Sequence, residues 1–243
     1  MRYAIISDIH ANLAAFTAVL ADVKRRGGVD KFWCLGDIVG YGPDPHECID
    51  SLRRLDHICV AGNHDLAATG KIGTDEFNQD AAESCLWTAR QLSQADKAYL
   101  EKLPMVIETG HFYLVHGTPR DPVWEYLLTT SQAIENFPLF KTRFCLVGHS
   151  HVPLVFSSHA TGDFSGRRFL TDVSLSGKDR VIINPGGVGQ PRDGDPRASY
   201  AIYDSESGLV KLYRVPYDIQ TTQKKMEEHG LPVGLATRLS YGS

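Results

Sequence analysis

The 243-residue chain contains no apolar run approaching the ~18 residues a membrane span requires. After Arg2 the apolar stretch Tyr3–Ile6 ends at Ser7 and Asp8, too short for the hydrophobic part of a secretory leader. No run of like charge exceeds Lys24-Arg25-Arg26 and the net charge is −4, so an extended nucleic-acid surface is not expected. The five cysteines, Cys34, Cys48, Cys59, Cys85 and Cys145, are odd in number and form no C-x-x-C motif. They read as small apolar residues of a reduced, cytoplasmic protein. Repeats, low-complexity tracts and Pro/Ser-rich linkers are missing too. The expectation is one domain over residues 1–243, with a helical insertion at about 74–103.

What is present is an alternation of strand and helix. Tyr3–Ile6 reads as a buried strand. Asn12 can cap a helix reaching about Arg26, with Leu13, Phe16, Leu20 and Val23 at helical spacing and Gly27-Gly28 ending it. Lys31–Leu35 is a second strand, His46–Leu55 a second helix and His57–Val60 a third strand, an order that implies a parallel α/β sheet. From Thr74 to Leu103 the pattern is helical, with Ala81, Cys85, Thr88 and Leu92 on one stripe and a Ser93 to Asp96 cap signal. These helices either shape a pocket or form a surface between two copies of the chain. Further strands are expected at Met105–Thr109, Phe112–Val115, Phe144–Val147, Leu154–Ser157, Arg180–Ile183, Tyr200–Tyr203 and Leu209–Arg214. Helices are expected near Ser131–Asn136 and Ile219–His229. Parallel units followed by a strand-rich half suggest two sheets face to face, covered by helices.

Ten histidines are many for this length, and five of them are placed alike. Asp8 and His10, Asp37, Asn63 and His64, His116, and the pair His149 and His151 all follow strands, where an α/β sheet opens its ligand crevice. Asp8, His10, Asp37, Asn63, His116, His149 and His151 make a nitrogen and oxygen donor set suited to Mn, Fe, Zn, Ni or Co. Seven donors exceed what one tetrahedral ion uses, whereas two ions sharing a carboxylate account for them. Paired metals roughly 3.5–4 Å apart are the usual clamp for in-line displacement at phosphorus. Residues two apart in an extended segment point the same way, so His149 and His151 would serve one ion unless the chain bends there. Gly36, Gly62 and Gly148 would let the backbone turn tightly beside these donors. His46, His57, His111, His159 and His229 read as structural or solvent-exposed.

Together, Asp8-Ile9-His10, Gly36-Asp37, Gly62-Asn63-His64-Asp65, His116-Gly117 and Gly148-His149-Ser150-His151 resemble the motif series of the calcineurin-like metallophosphoesterase superfamily. The run Asn184–Asp193 is similar to the ending of its small bacterial and archaeal phosphodiesterase branch. The resemblance implies a four-layer α/β/β/α sandwich of two mixed sheets with two divalent transition metal ions at the sheet edge, manganese first among them. It implies one ion on Asp8, His10, Asp37 and His151 and the other on Asp37, Asn63, His116 and His149, with Asp37 bridging. It also implies that His64 is no ligand but serves the leaving group. The expected reaction is attack on phosphorus by a metal-bridging hydroxide, with a small phosphate ester as substrate and diesters favoured over monoesters. No Asp-Arg-Gly follows Asp37 and the third motif ends in Asp65, a departure from the protein Ser/Thr phosphatases of the superfamily. A dinucleotide polyphosphate or phosphoprotein substrate is the runner-up, and a non-catalytic interaction scaffold is the reading from another class.

Around this centre the sequence leaves several roles open. Arg120 and Arg192 lie in loops near the rim and could each fork a phosphate oxygen, or pair with Asp121 and Asp193 beside them. Asp65 could orient His64 or cap the segment that follows. Asn12 is a helix cap or a substrate contact. Tyr41 and Trp124 could stack on a base if the substrate is a nucleotide.

Overall fold

The alternating apolar pattern of the strands builds two sheets that share one face. A computed structural model describes all residues, 1–243. In β1 (Arg2–Ile6) and β2 (Lys31–Cys34), Ala4, Ile6, Phe32 and Cys34 face one side while Ile5 and Trp33 face the other. Successive strand side chains must take opposite faces, so a strand apolar on both must be covered on both. The first side is covered by α1 (Leu13–Arg25) and α2 (Pro45–Arg53), through Phe16, Val19, Ile49 and Leu52. The second side meets the inner face of the other sheet. There Ile5, Trp33 and Ala201 pack with Phe112, Leu114, Phe144, Leu146, Val181 and Ile183. Each such buried side chain contributes roughly 1.5–3 kcal/mol relative to exposure.

The first sheet runs β3 (His57–Cys59), β2, β1, β11 (Ala198–Asp204), β12 (Leu209–Val215) and β9 (Val173–Ser174). The second runs β4 (Val106–Thr109), β5 (Phe112–Val115), β6 (Phe144–Leu146), β10 (Arg180–Asn184), β7 (Leu154–Ser158) and β8 (Phe164–Arg168). Both are mixed: β1, β2 and β3 are parallel, as are β5, β6 and β10, and the remaining pairings are antiparallel. On the outer face of the second sheet, α6 (Thr130–Asn136) packs Ala133 over Val115, Cys145 and Ile182. Two sheets flanked by helices are the layers expected.

Four features depart from the sequence reading. The segment Asn63–Ala68, for which no helix was expected, is a short helix, α3, capped by Gly62. Strand β8 was not expected because every residue of Phe-Ser-Gly-Arg-Arg is exposed and none alternates. Backbone pairing to β7 holds it as an edge, with Phe164 packed on Phe137 beyond α6. Strand β9 has only two residues, and a last helix, α8 (Val233–Arg238), starts behind Pro232 with no side-chain cap. The helical stretch over 74–103 consists of α4 (Gln79–Gln91) and α5 (Gln94–Leu100). The Ser93–Asp96 capping box separates them as anticipated. Helix α7 (Ile219–Glu228) joins α4 and α8 in a small apolar cluster with Tyr41, built on Ala81, Met226, Leu235 and Leu239. No helix is long and apolar enough to cross a membrane.

Candidate active site

Because β1, β2 and β3 run in parallel, the loops carrying Asp8, Asp37 and Asn63 leave one edge of the first sheet side by side. The parallel strands β5 and β6 bring His116 and His149 to the matching edge of the second. Backbone bonds lace the loops together: Asp8 N–H donates to Gly36 C=O at 3.0 Å, His10 N–H to Asp37 C=O at 3.0 Å and Gly189 N–H to Asp8 C=O at 2.8 Å. The Asn184–Asp193 run therefore backs the Asp8–His10 loop. Asn12 caps α1 through Ala15 N–H and also donates to Gly189 C=O, which makes it a structural tie. At Gly62 a Cβ would stand 2.0 Å from Asp37 Oδ1, so glycine is what lets the two loops touch.

Five of the seven donors, Asp8, His10, Asp37, His149 and His151, have positive φ between 49° and 61°. For a residue with a Cβ this left-handed backbone costs roughly 1–2 kcal/mol. It persists only where the surroundings impose it, and such strain gathers at functional sites. It also bends the chain between His149 and His151. His151 Nε2 faces His10 Nε2 at 3.0 Å and Asp8 Oδ1 at 3.3 Å, whereas His149 Nδ1 faces His116 Nε2 at 3.2 Å. Each histidine thus joins a different cluster, one with Asp8 and His10, the other with Asp37 and His116. Asn63 Oδ1 lies 3.1 Å from His116 Nε2. Asp37 Oδ2 stands between the clusters, 3.6 Å from His10 Nε2 and 3.3 Å from His116 Nε2.

The hydrogen bonds settle which ring nitrogens carry protons. His10 Nδ1 faces Val39 C=O at 3.2 Å, His116 Nδ1 faces Leu35 C=O at 2.7 Å, His151 Nδ1 faces Gln190 C=O and His149 Nε2 faces Trp124 C=O at 3.2 Å. A carbonyl only accepts, so each of these nitrogens bears the N–H and the opposite nitrogen turns inward bare when the ring is neutral. Bare nitrogens then face each other in pairs. Both oxygens of Asp8 and Oδ2 of Asp37 are buried with no hydrogen-bond partner at all. Unpartnered buried carboxylate oxygens among inward lone pairs fit cations, and the absence of any thiolate among them points to metals that accept nitrogen and oxygen.

The electrostatics agree. Burial disfavours charge on these groups and pushes His64 down to about 4, His149 to about 3, and His10 and His151 below their ordinary range. Burial opposes ionisation of Asp37 as well, but His116 and His64 hold its carboxyl well below the usual value. His116 is the exception: burial works against its charge, yet Asp37 and Asp8 raise it to about 10. The field that holds a proton there is the field a cation would meet.

A pocket of about 220 Å³ opens over this centre, lined by Asp37, Asn63, His64, His149 and His151 together with Arg192. Arg192 donates to Tyr41 Oη at 3.3 Å and Gln190 Oε1 at 2.9 Å. Its Nε is buried without a partner and it makes no ion pair. Asp193, beside it in sequence, is paired with Arg214 instead. Arg120 is not brought to the pocket. Glu125 and Glu135 hold its guanidinium at the surface, so the phosphate contact expected of it is corrected to a structural one, and its partner is not Asp121. Asp65 does not touch His64. Its carboxylate accepts four backbone N–H groups, from Asp37 at 2.8 Å, Ile38 at 2.9 Å, Val39 at 3.2 Å and Gly62 at 3.0 Å. Tyr41 packs its ring on His64 and His10, while Trp124 meets Phe77 edge-on at 5.0 Å. Glu76, Phe77, Asn78 and Tyr126 also line the pocket and were missed. They come from loops with no motif, and only their aromatic and polar mix beside a helix start could have drawn notice.

The model of the calcineurin-like phosphoesterase superfamily domain matches residues 1–208. A metallophosphoesterase from Sphaerobacter thermophilus of known structure is 48% identical, with 100% of this chain and 99% of that one covered and a TM-score of 0.89. An uncharacterized protein of Methanocaldococcus jannaschii is 39% identical, covering 98% of this chain and 97% of that protein. Over 63 residues, 25% of this chain and 22% of the other, the sequence is 35% identical to a symmetrical bis(5'-nucleosyl)-tetraphosphatase of Pseudomonas putida.

Proposed function

The chain belongs to the calcineurin-like phosphoesterase superfamily, and from that footing we propose that it is a dinuclear metal-dependent phosphohydrolase acting on phosphodiesters in preference to monoesters. The observation that carries this reading is the set of inward bare nitrogens and unpartnered carboxylates arranged in two clusters about Asp37. Asp8, His10, Asp37 and His151 would hold one ion and Asp37, Asn63, His116 and His149 the other. Manganese is the first choice, with iron, zinc, nickel and cobalt compatible with the same donors. Divalent cations bound there supply a water activated near neutral pH and positive charge facing the phosphoryl oxygens.

The chain's own residues do the rest. Arg192 offers its unpartnered guanidinium edge to a phosphoryl oxygen, a charge-assisted bond of planar geometry. It is the one arginine or lysine on the pocket wall, and a single positive charge suits a singly charged diester better than a dianionic monoester. His64 offers an N–H hydrogen bond from the pocket side to the departing oxygen, which matters most for a poor alkoxide leaving group. The five cysteines are free and buried, which supports a reducing compartment such as the cytoplasm. The layer shared by both sheets supports reading residues 1–243 as one domain with 74–103 inserted in it.

Hydrolysis of a dinucleotide polyphosphate is a second reading. The aromatic wall of Phe77, Trp124 and Tyr126 favours it, as does the local likeness to the tetraphosphatase.

Metal-free protein reloaded separately with manganese, nickel, zinc, iron or magnesium is assayed on bis-p-nitrophenyl phosphate beside p-nitrophenyl phosphate. Turnover of the diester exceeding that of the monoester is expected, with two ions per chain by elemental analysis. A lack of turnover with every cation would overturn the reading. Arg192→Ala should lower kcat/KM for the diester by about 10- to 100-fold, the worth of one hydrogen bond to a charged group. Arg120→Ala should stay within about twofold, since its partners are surface glutamates and exposed pairs carry little. Equal losses in the two variants would refute the assignment of Arg192.

A further inference from the structure

Of the five imidazoles at the centre, four give an N–H to a backbone carbonyl and turn a bare nitrogen inward. His64 has a different neighbour. Its Nδ1 lies 3.1 Å from Sγ of Cys85, which projects from α4. Cys34, Cys48 and Cys59 belong to one apolar cluster and Cys145 to another, whereas Cys85 belongs to none. Burial pushes the Cys85 thiol up, so it keeps its proton, and Nδ1 of His64 is the one hydrogen-bond partner that proton has.

We propose that Cys85 is a positioning residue that makes His64 a hydrogen-bond donor toward the substrate and keeps it from becoming an additional metal ligand. The proposal rests on the phosphoesterase reading above for the identity of the reaction, but the pairing itself stands on geometry. A thiol donating to Nδ1 leaves the ring proton on Nε2. If the ring takes a second proton, its Nδ1–H turns to the sulfur and Nε2 still carries hydrogen. In both cases Nε2, which has no hydrogen-bond partner in the protein, presents N–H to the pocket that His64 lines. A carbonyl in place of the thiol would reverse the tautomer and leave Nε2 bare. That matters because His64 lies close enough to His10 and Asp37 for all three to grip one ion. The ring cannot escape by turning. Tyr41 packs on it at 4.3 Å, and Phe77 and His10 each meet it edge-on at 4.9 Å. Behind Nδ1, a Cβ on Gly40 would come within 2.3 Å, so no larger group fits there. The segment over 74–103 thus reaches the reaction through Phe77 and Cys85.

The test compares wild type, Cys85→Ala and Cys85→Ser, each loaded with diamagnetic zinc, with His64→Ala as reference. Long-range proton–nitrogen NMR spectra report which nitrogen of His64 carries hydrogen. Wild type and Cys85→Ser should show Nε2–H alone, and Cys85→Ala should lose that exclusive pattern. In a series of aryl diesters, Cys85→Ala should lose about tenfold in kcat for phenyl as leaving group and less than twofold for p-nitrophenyl. KM should be unchanged, and serine should restore the rate. An unchanged tautomer and leaving-group dependence in Cys85→Ala, with only reduced thermal stability, would mean that the thiol merely fills space and would overturn the proposal. Should wild type hydrolyse no phosphate ester with any cation, the phosphoesterase reading fails, while the spectra still decide the Cys85–His64 pairing.

Discussion

Asp37→Asn should lower kcat/KM for a phosphodiester by at least about a hundredfold, more than any other single change at the centre. Even residues that only orient metal ligands are worth roughly 10- to 100-fold, and Asp37 stands between both clusters. Its Oδ1 accepts the His64 backbone N–H at 2.9 Å, a bond the asparagine oxygen can keep. The amide nitrogen must then replace Oδ2, which faces the inward nitrogens of His10 and His116. A buried negative charge that two cations would share becomes a pair of N–H donors on the cation side. Both positions are lost together, so elemental analysis should find fewer than two ions per chain, with circular dichroism unchanged. Two bound ions and activity within tenfold of wild type would show that Asp37 does not bridge.

The second large effect is one of stability. Asp65→Ala should destabilise the protein by about 4 kcal/mol, read from the urea unfolding midpoint, because it strips an acceptor from four buried N–H groups at once. Each stranded donor costs about 1–3 kcal/mol before water entering the gap relieves part of it. Asp65→Asn should lose nearly as much, since its amide would turn two donors toward two donors. The result separates the two roles that adjacency to His64 leaves open. An orienting carboxylate would alter the leaving-group dependence with little loss of stability. A carboxylate that ties the Asp37 loop to α3 would do the reverse.

The strand and helix plan was legible because it depends on neighbours in sequence. Asn12, Ser93 and Asp96 cap where their positions say they should, and the alternation of Ala4, Ile5 and Ile6 already requires cover on both faces. β8 escaped because its order comes mainly from pairing with β7, and its residues show no alternation. α3 escaped because glycine at its cap has no side chain to announce it. At the centre, the residue types and their places after strands were readable: six of the seven candidate donors fall into the clusters, and Asn63 joins them through His116. The parting of His149 from His151 followed from the family resemblance and not from their spacing, since it depends on two left-handed residues. Nor could sequence choose between Arg120 and Arg192, which both lie in proline-flanked loops beside an aspartate. The glutamates that hold Arg120 are five and fifteen residues away. Cys85 reads as one more apolar position on a helical stripe until α4 is laid against α3.

The left-handed donors carry an evolutionary consequence. Glycine at Asp8, His10, Asp37, His149 or His151 would relieve backbone strain, and removing either carboxylate would also end the burial of unpartnered oxygens. Folding gains only the His64 N–H that Asp37 accepts and the carbonyl bonds of the imidazole rings, against which stand the backbone strain and the unpartnered oxygens. A lineage released from that chemistry would drift by single steps toward a sturdier sandwich with an inert rim. The seven side chains meet at one rim in a backbone that strains to hold five of them, a cost that a bound metal pair would offset.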